Sequence, residues 1–161
     1  MHATQGKSNY ISTPALIGAA QRTYVSEIRN ALAERGYDDM PRTAYRIVSA
    51  LSESEASVQD LADRLAISKQ AASRLAETLV QRGYCERQPD PNDRRRMLLL
   101  LTGRGRSAAR EVRAAVKAVD RMLTRHVGEH DVGTTRATLG ALTVIGRKEL
   151  PDRSAGRVRA R

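Results

Sequence analysis

Two short stretches of the chain are rich in side chains that donate hydrogen bonds or carry positive charge. Residues 68–74 read Ser-Lys-Gln-Ala-Ala-Ser-Arg, and residues 93–96 read Asp-Arg-Arg-Arg. Lysine and arginine bind phosphate oxygens, and a glutamine amide can both donate to and accept from the edge of an adenine base. The chemistry that these residues favour is therefore noncovalent recognition of a nucleic acid.

The sequence offers little for covalent catalysis. It has no Gly-rich phosphate loop and no visible pairing of a nucleophile with a base, so we predict no enzyme, no catalytic residue and no cofactor. His126 and His130 have a spacing that metal ligands can use, but Gly128 lies between them and no third His or Cys joins them. Cys85 is the only cysteine, and its place in a predicted strand favours an inert apolar residue. A metal- or oxidant-responsive sensor is the less favoured alternative, and no metal site is predicted.

The charge of the chain favours a polyanionic partner. Its 161 residues carry a formal net charge of +10, and its pI is about 10.6. Trp and Phe are absent, so few rings can stack on unpaired bases, which argues against single-stranded nucleic acid. No apolar run reaches membrane-spanning length, and one cysteine cannot form an intramolecular disulfide. We therefore expect no membrane partner and a cytoplasmic protein.

Apolar residues at helical spacing predict six helices that must position these polar stretches. They begin near residues 14, 41, 57, 68, 102 and 131. Ser57 caps the third helix, with Asp60 three residues later, and Ser68 caps the fourth after a tight turn at Ala66-Ile67. Two short helices joined by so short a turn form a helix-turn-helix unit.

The fourth helix is expected to have two different faces and to run to Arg82. Four residues are predicted to point inward: Ala71, Leu75, Thr78 and Leu79. The outward set is Lys69, Gln70, Ser73, Arg74 and Glu77. The small side chains of Ala72 and Ser73 are expected to keep this helix slim enough for the major groove of DNA.

A β-hairpin is predicted after the fourth helix. Residues 84–88 and the apolar run 97–101 are the strand candidates, and residues 89–93 are a dense turn signal. The arginines at 94–96 are then expected in a basic loop between the strands.

These stretches together resemble the MarR family of bacterial regulators. Residues 58–65 (Val-Gln-Asp-Leu-Ala-Asp-Arg-Leu), 68–75 and 82–84 (Arg-Gly-Tyr) carry part of the resemblance. The most specific part is the wing motif, Asp-Pro-Asn-Asp-Arg-Arg-Arg at 90–96, followed by Leu-Leu-Leu-Thr-Gly-Arg-Gly at 99–105. The resemblance implies a mainly α fold (α+β winged helix), a winged helix-turn-helix with N- and C-terminal dimerisation helices.

That fold implies a division of the chain into five parts. We expect a flexible N-terminus over 1–13, a dimerisation helix over 14–36 and a winged helix-turn-helix domain over 37–101. C-terminal dimerisation helices are expected over 102–150, with Leu139, Leu142 and Ile145 inward, and a basic tail over 151–161. The apolar stripes of helices one, five and six exceed what the winged core needs, so a partner chain should cover them. One such stripe runs from Ala109 to Leu123 on helix five.

The predicted DNA-binding residues lie on the fourth helix and the wing: Ser68, Lys69, Gln70, Ser73, Arg74, Arg94 and Arg95. Gln70 is expected to read a base edge, and Arg94 or Arg95 to enter the adjacent minor groove. Asp93 is expected to hold Arg95 in position through a charge-assisted hydrogen bond, an assignment that the resemblance supports.

The resemblance also implies regulation by a small molecule. A cleft between the dimer helices and the winged core would take a small aromatic or anionic effector, with Arg22, Tyr24, Tyr45 and Arg46 as candidate lining residues. The predicted function is a homodimeric, sequence-specific regulator of double-stranded DNA, a repressor relieved by a ligand. The main alternative is an architectural protein that binds DNA through charge alone.

Overall fold

The computed structural model describes residues 11–148 and contains eight elements. The helices are α1 (Thr13–Glu34), α2 (Tyr45–Leu51), α3 (Val58–Leu65), α4 (Lys69–Gln81), α5 (Gly103–Val127) and α6 (Glu129–Lys148), and the strands are β1 (Cys85–Asp90) and β2 (Asp93–Leu101). The helix-turn-helix followed by a hairpin is confirmed. The expectations for residues 1–10 and for the tail 151–161 lie outside the described residues.

The caps of α3 and α4 form as the sequence predicts. The Ser57 hydroxyl accepts a hydrogen bond from the Asp60 backbone N–H, and the Asp60 carboxylate accepts one from the Ser57 backbone N–H, which completes a capping box. The Ser68 hydroxyl accepts from the Ala71 backbone N–H at 3.1 Å. Ala66 ends α3 with a left-handed backbone, φ 50°, and this residue makes the tight turn between the two helices.

The buried face of α4 differs from the prediction. Ala72, Ala76 and Leu79 are buried, whereas Ala71 and Leu75 are half-buried. Because residues 71, 72 and 76 are all alanines, the stripe through Ala71 and Leu75 and the stripe through Ala72 and Ala76 are similarly apolar. Packing against the core therefore decides which of the two stripes is buried. Ala72 therefore belongs to the inner face, and its assignment to the slim outer face was wrong.

The wing has longer strands and a shorter turn than predicted. β1 and β2 pair antiparallel from Cys85 opposite Leu101 to Asp90 opposite Asp93, with an irregularity between Pro89 and Asp90. Only residues 91 and 92 lie between the strands, because the Asp90 carboxylate accepts the Asn92 backbone N–H at 2.8 Å and tightens the turn. Residues 94–96 therefore belong to β2, and their placement in a loop was wrong.

By its internal contacts the chain divides into two units, residues 1–119 and 120–161. The core of the first unit joins the second half of α1, all of α2 and α3, the inner face of α4, the base of the hairpin and the first half of α5. Ala44, just before α2, and Ile47, Val48 and Leu51 within it are all buried, so α2 packs into this core.

Several apolar residues of the predicted dimerisation helices lie exposed in the single chain. In α1, Ile28 and Leu32 are buried, but Ile17 is 37% exposed. In the second unit, Leu123 at the end of α5 is 39% exposed. The expectation that Leu139, Leu142 and Ile145 point inward was wrong for the single chain, where they are 40%, 48% and 38% exposed.

Candidate nucleic-acid interface

The outer face of α4 presents the polar residues that the sequence singled out. Lys69, Gln70, Arg74 and Glu77 are exposed, and Ser73 is half-buried. Lys69 and Gln70 lie in the first turn, where no acidic side chain is present. The unpaired N–H groups and the positive end of the helix dipole therefore add to the charge of Lys69, and together they favour an anion at this end of α4.

The Ser68 hydroxyl already accepts one hydrogen bond but can still donate another. Its oxygen accepts the Ala71 N–H, which leaves the hydroxyl hydrogen free to donate to a phosphate or base oxygen. Ser68 can therefore contribute to the interface while it continues to cap α4.

Arg95 is held by its backbone and exposes its side chain. The Asp93 carboxylate accepts the backbone N–H of Arg95 at 3.0 Å, rather than binding the guanidinium group. Asp93 therefore fixes the strand at the start of β2, and the guanidinium group is exposed and donates to no side chain or carbonyl that the structure describes. The side chain of Arg94 lies outside the described residues.

Arg96 is a functional residue that the sequence reasoning missed. Its guanidinium group donates to the Asp60 carboxylate and to the Ser57 hydroxyl, the latter at 3.3 Å, and lies 3.8 Å from the Asp90 carboxylate. It thus joins the wing to the N-terminus of α3. No difference in residue type separates Arg96 from its neighbour Arg95, because the Arg96 contacts depend on how closely the wing approaches α3.

The charge of Asp60 is stabilised by the same contacts. The pKa of its carboxyl is lowered first by the hydrogen bond from the Ser57 backbone and then by the Ser57 hydroxyl; burial opposes this, and Arg96 lowers the pKa by smaller amounts. Asp60 therefore stays ionised and serves both as a helix cap and as the anchor for Arg96.

The base of the wing is fixed to the start of α5. The Thr102 hydroxyl lies 2.6 Å from the Gly83 carbonyl and 3.2 Å from the Tyr84 carbonyl, and its oxygen accepts the Gly105 backbone N–H at 3.1 Å. Gly105 is buried against the Tyr84 carbonyl, so a Cβ at this position would lie 2.0 Å from that oxygen. This close approach explains why a glycine stands in the first turn of α5.

A second cluster holds the end of α4 against the segment between α1 and α2. Arg104 donates to the Asp39 carboxylate and to the Arg82 carbonyl, each at 2.9 Å, and its guanidinium carbon lies 4.4 Å from the centre of the Tyr84 ring. The Tyr84 hydroxyl donates to the same carboxylate. Burial and then this hydrogen bond raise the pKa of Tyr84 well above its usual value. The Thr102 contacts and the Arg104 contacts thus hold the base of the wing and the end of α4 in place.

The four residues expected to line an effector cleft are found in different surroundings. Arg46 donates to the Leu65 carbonyl at 2.7 Å and so closes the end of α3, and Tyr45 is half-buried against the core. Arg22 is exposed and lines a cavity of about 280 Å³ with Arg29 and Arg42, to which none of the other three contributes. Tyr24 is half-buried on α1.

Cys85 and the potential metal ligands can be placed in the described part of the chain. Cys85 is buried, and burial raises the pKa of its thiol to about 12. Between residues 11 and 148, no three His, Cys, Asp or Glu side chains are grouped as metal ligands would be. No helix of that range is both long and apolar enough to cross a membrane.

Comparison with known proteins assigns the segment that carries this surface. The MarR family model matches residues 38–96, which run from the corner before α2 through α3 and α4 to Arg96. Residues 38–96 belong to the MarR family. This MarR segment contains α4, most of the wing and the Arg96 contacts with α3.

Related chains extend the likeness beyond that segment. Uncharacterised proteins of Mycobacterium bovis and Mycobacterium tuberculosis are 28% identical over 107 residues, which is 66% of this chain and 75% of theirs. A mutant MarR of E. coli, solved with operator DNA, matches with a TM-score of 0.68 and 21% identity over 83% of this chain and 95% of that chain.

The transcriptional repressor CouR, solved bound to a 23-mer DNA duplex, has a TM-score of 0.68 and 19% identity over 89% of this chain and 99% of its own. These structural likenesses show that the chain has the MarR winged-helix fold.

Proposed function

We propose that this chain is a sequence-specific transcriptional regulator that binds double-stranded DNA as a homodimer. The observation that carries the proposal is the exposed face of α4, where Lys69, Gln70 and Arg74 are exposed beside a helix N-terminus with no acidic residue in its first turn. The MarR segment and the DNA-bound structures that share its fold support the same assignment.

In this proposal α4 enters the major groove. Gln70 makes paired hydrogen bonds to an adenine, Lys69 reaches a guanine or a phosphate, and Arg74 binds the backbone. Ser68 and Ser73 are short enough to donate to nearby phosphate oxygens without holding the helix away from the bases.

The wing supplies a second contact in the adjacent minor groove. Arg95 is suited to it because its backbone is fixed by Asp93 while its guanidinium group is exposed. A narrow, A·T-rich minor groove concentrates negative potential and attracts arginine. Arg94 is its neighbour in β2 and the second candidate for this contact.

Dimerisation is supported by apolar surface that the single chain leaves open. Leu16 and Ile17 of α1 are 42% and 37% exposed in the first unit. In the second unit, six of the exposed large apolar residues lie on α5 and α6: Met122, Leu123, Val127, Leu139, Leu142 and Ile145. Apolar patches of this kind mark interfaces, and a twofold partner would cover the same residues on both copies.

Repression relieved by a small ligand is the mode of control that we propose. A dimer that covers a promoter blocks polymerase by occupancy alone. CouR shares the fold and is itself described as a transcriptional repressor bound to DNA. A ligand that binds the DNA-free form better than the DNA-bound form would release the operator.

The test begins with genomic DNA fragments recovered by the purified protein, from which a shared motif is read. Fluorescence anisotropy then compares that motif with a scrambled duplex at matched salt, because charge alone binds both equally. We expect tighter binding to the motif than to the scrambled duplex. Arg95→Ala should reduce this preference by about 1–3 kcal/mol. Arg121→Ala, an exposed arginine of α5 that removes the same charge, should leave the preference unchanged.

Equal affinity for the motif and the scrambled duplex would contradict the proposal. It would favour an architectural protein that uses its net charge of +10 without reading sequence.

A further inference from the structure

The wing is attached to the N-terminal end of α3 at two places. Near the base of the wing, Ala56 and Leu99 form an antiparallel bridge, in which the Leu99 backbone N–H donates to the Ala56 carbonyl at 2.9 Å. Three residues closer to the tip, the Arg96 guanidinium group donates to the Asp60 carboxylate and to the Ser57 hydroxyl. At about 3.3 Å per residue of strand, these two attachments lie roughly 10 Å apart along β2.

Two attachments restrain the direction of the wing, whereas one would not. A two-stranded hairpin is marginally stable by itself and its twist varies widely, so a hairpin held only at its base can pivot about that point. The Arg96 contacts add a second point nearer the tip. Arg96 Nε also lies 3.8 Å from the carboxylate of Asp90, which accepts the Asn92 backbone N–H in the wing turn. The turn of the wing is therefore connected through Arg96 to the N-terminus of α3.

We propose that Arg96 is a positioning residue that sets the distance along DNA between the bases read by α4 and the minor groove entered by Arg95. α3 and α4 share one core, in which Leu61 and Leu79 are fully buried, so a wing fixed to α3 is also fixed relative to α4. Arg95 precedes Arg96 in β2, and its exposed side chain moves with the wing. This role rests on the proposed function and adds to it the spacing that the operator must have.

Arg96 is itself exposed, so the alternative is that it binds DNA directly. Its guanidinium group forms ion pairs with Asp60 and Asp90, whereas Arg95 forms none with any residue between 11 and 148. The two carboxylates would also repel a phosphate that approached Arg96. These charges favour a contact between Arg96 and α3 and leave Arg95 for the DNA.

The test measures DNA affinity against the position of an A·T-rich segment. Duplexes carry the motif recovered from genomic DNA between G·C-rich flanks, and one A·T-rich segment is moved stepwise along each flank. Fluorescence anisotropy at fixed salt gives the affinity of the full-length protein for each duplex. Wild type should prefer one position, and displacing the segment should cost about fivefold in affinity, the lower end of the range for a mismatched base pair.

Arg96→Ala should still prefer an A·T-rich flank to a wholly G·C-rich one but lose most of the dependence on position, because the wing is then held only at its base. Arg95→Ala should lose the preference at every position, since it removes the minor-groove contact itself. Arg96→Lys should restore part of the dependence, because an ammonium group can pair with a carboxylate but lacks the planar fork of donors. Arg121→Ala, an exposed arginine of the second unit, should give the wild-type profile.

A wild-type profile in Arg96→Ala would overturn the positioning role. A profile of Arg96→Ala that matches Arg95→Ala would also overturn it, because Arg96 would then be a DNA ligand. A circular-dichroism melt verifies that Arg96→Ala is folded. Arg96→Gln removes the charge but keeps most of the side-chain length, and it should lose the same dependence on position.

Failure of the proposed function is seen separately. A wild-type protein that prefers the motif to a scrambled duplex, but shows no preferred position for the A·T-rich segment, would overturn the positioning role and keep the regulator. Equal affinity for the motif and the scrambled duplex would contradict the regulator before any flank is varied.

Discussion

Arg95 and Arg96 are adjacent in β2, yet their guanidinium groups have opposite surroundings. Both side chains are exposed, but Arg96 contacts Asp60, Ser57 and Asp90, whereas Arg95 forms no ion pair with any residue between 11 and 148. An exposed guanidinium group can bind DNA at no internal cost, whereas one already bound to carboxylates would first have to leave them. The arginine run therefore divides into a DNA ligand and a structural connection between the wing and α3.

The Arg96 connection predicts a measurable coupling with Asp60. Both side chains are partly exposed, so solvent weakens the pair, and we expect a coupling of about 0.5–1 kcal/mol. Urea denaturation of wild type, Arg96→Ala, Asp60→Asn and the double variant measures it at pH 7. Because the pKa of Asp60 is lowered in the fold, the coupling should be complete above the ordinary value of 3.8 and fall as the pH drops through the lowered pKa. If the changes in the free energy of unfolding caused by the two single substitutions add up to that of the double variant at pH 7, Arg96 and Asp60 are not coupled.

Cys85 should react slowly while the protein is folded. Burial both blocks access and raises the pKa of the thiol to about 12, so little thiolate is present at pH 8. The rate of reaction of Cys85 is measured with a disulfide reagent that releases a coloured thiol. The rate for the protein unfolded in guanidinium is the reference. Folded protein that reacts as fast as unfolded protein at pH 8 would restore the oxidant-sensor alternative.

The elements differ in how much of them the sequence could predict. The capping box of α3 was readable because Ser57 and Asp60 interact within one turn, and local bonds need no tertiary information. The inner face of α4 was not readable, because alanines at 71, 72 and 76 fit either of two stripes and only the core selects between them.

The candidate site shows the same division. The exposure of Lys69, Gln70 and Arg74 followed from helical spacing, whereas the Arg96 contacts depend on how closely the wing approaches α3. The turn of the wing was predicted too long because the carboxylates of Asp90 and Asp93 accept hydrogen bonds from the backbone N–H groups of Asn92 and Arg95 and tighten the tip, where Asp90 pairs with Asp93.

The start of α5 gives a prediction with a matched control. Gly105→Ala places a Cβ 2.0 Å from the Tyr84 carbonyl, so the wing base or the helix must move. We expect a loss of about 2–3 kcal/mol in the free energy of unfolding. Gly103→Ala, in the same turn, meets nothing within 4 Å and should change stability by less than about 1 kcal/mol. Equal effects of the two substitutions in urea denaturation would contradict the close approach.

The proposed function requires a second copy of the chain. Exposed apolar residues on α1, and separately on the helices of the second unit, are the surfaces assigned to it. A partner that covers Leu123 cannot accept a buried carboxylate, so Leu123→Glu should weaken both dimerisation and DNA binding.

Analytical ultracentrifugation measures this effect at concentrations on either side of the wild-type dissociation constant. Ala114→Glu introduces the same charge on an exposed part of α5 in the first unit and should leave the dimer intact. A Leu123→Glu variant that sediments as wild type would place the contact between subunits elsewhere.

A hydroxyl-radical footprint on the motif recovered from genomic DNA tests directly whether two copies of the chain bind DNA through α4 and the wing. Two α4 helices related by a twofold axis should protect two equivalent half-sites with centres one DNA turn, ~34 Å, apart. Gln70→Ala should weaken both half-sites together, and Arg95→Ala should reduce protection in the adjacent minor groove. A single protected stretch, or continuous protection that ignores the motif, would contradict the account.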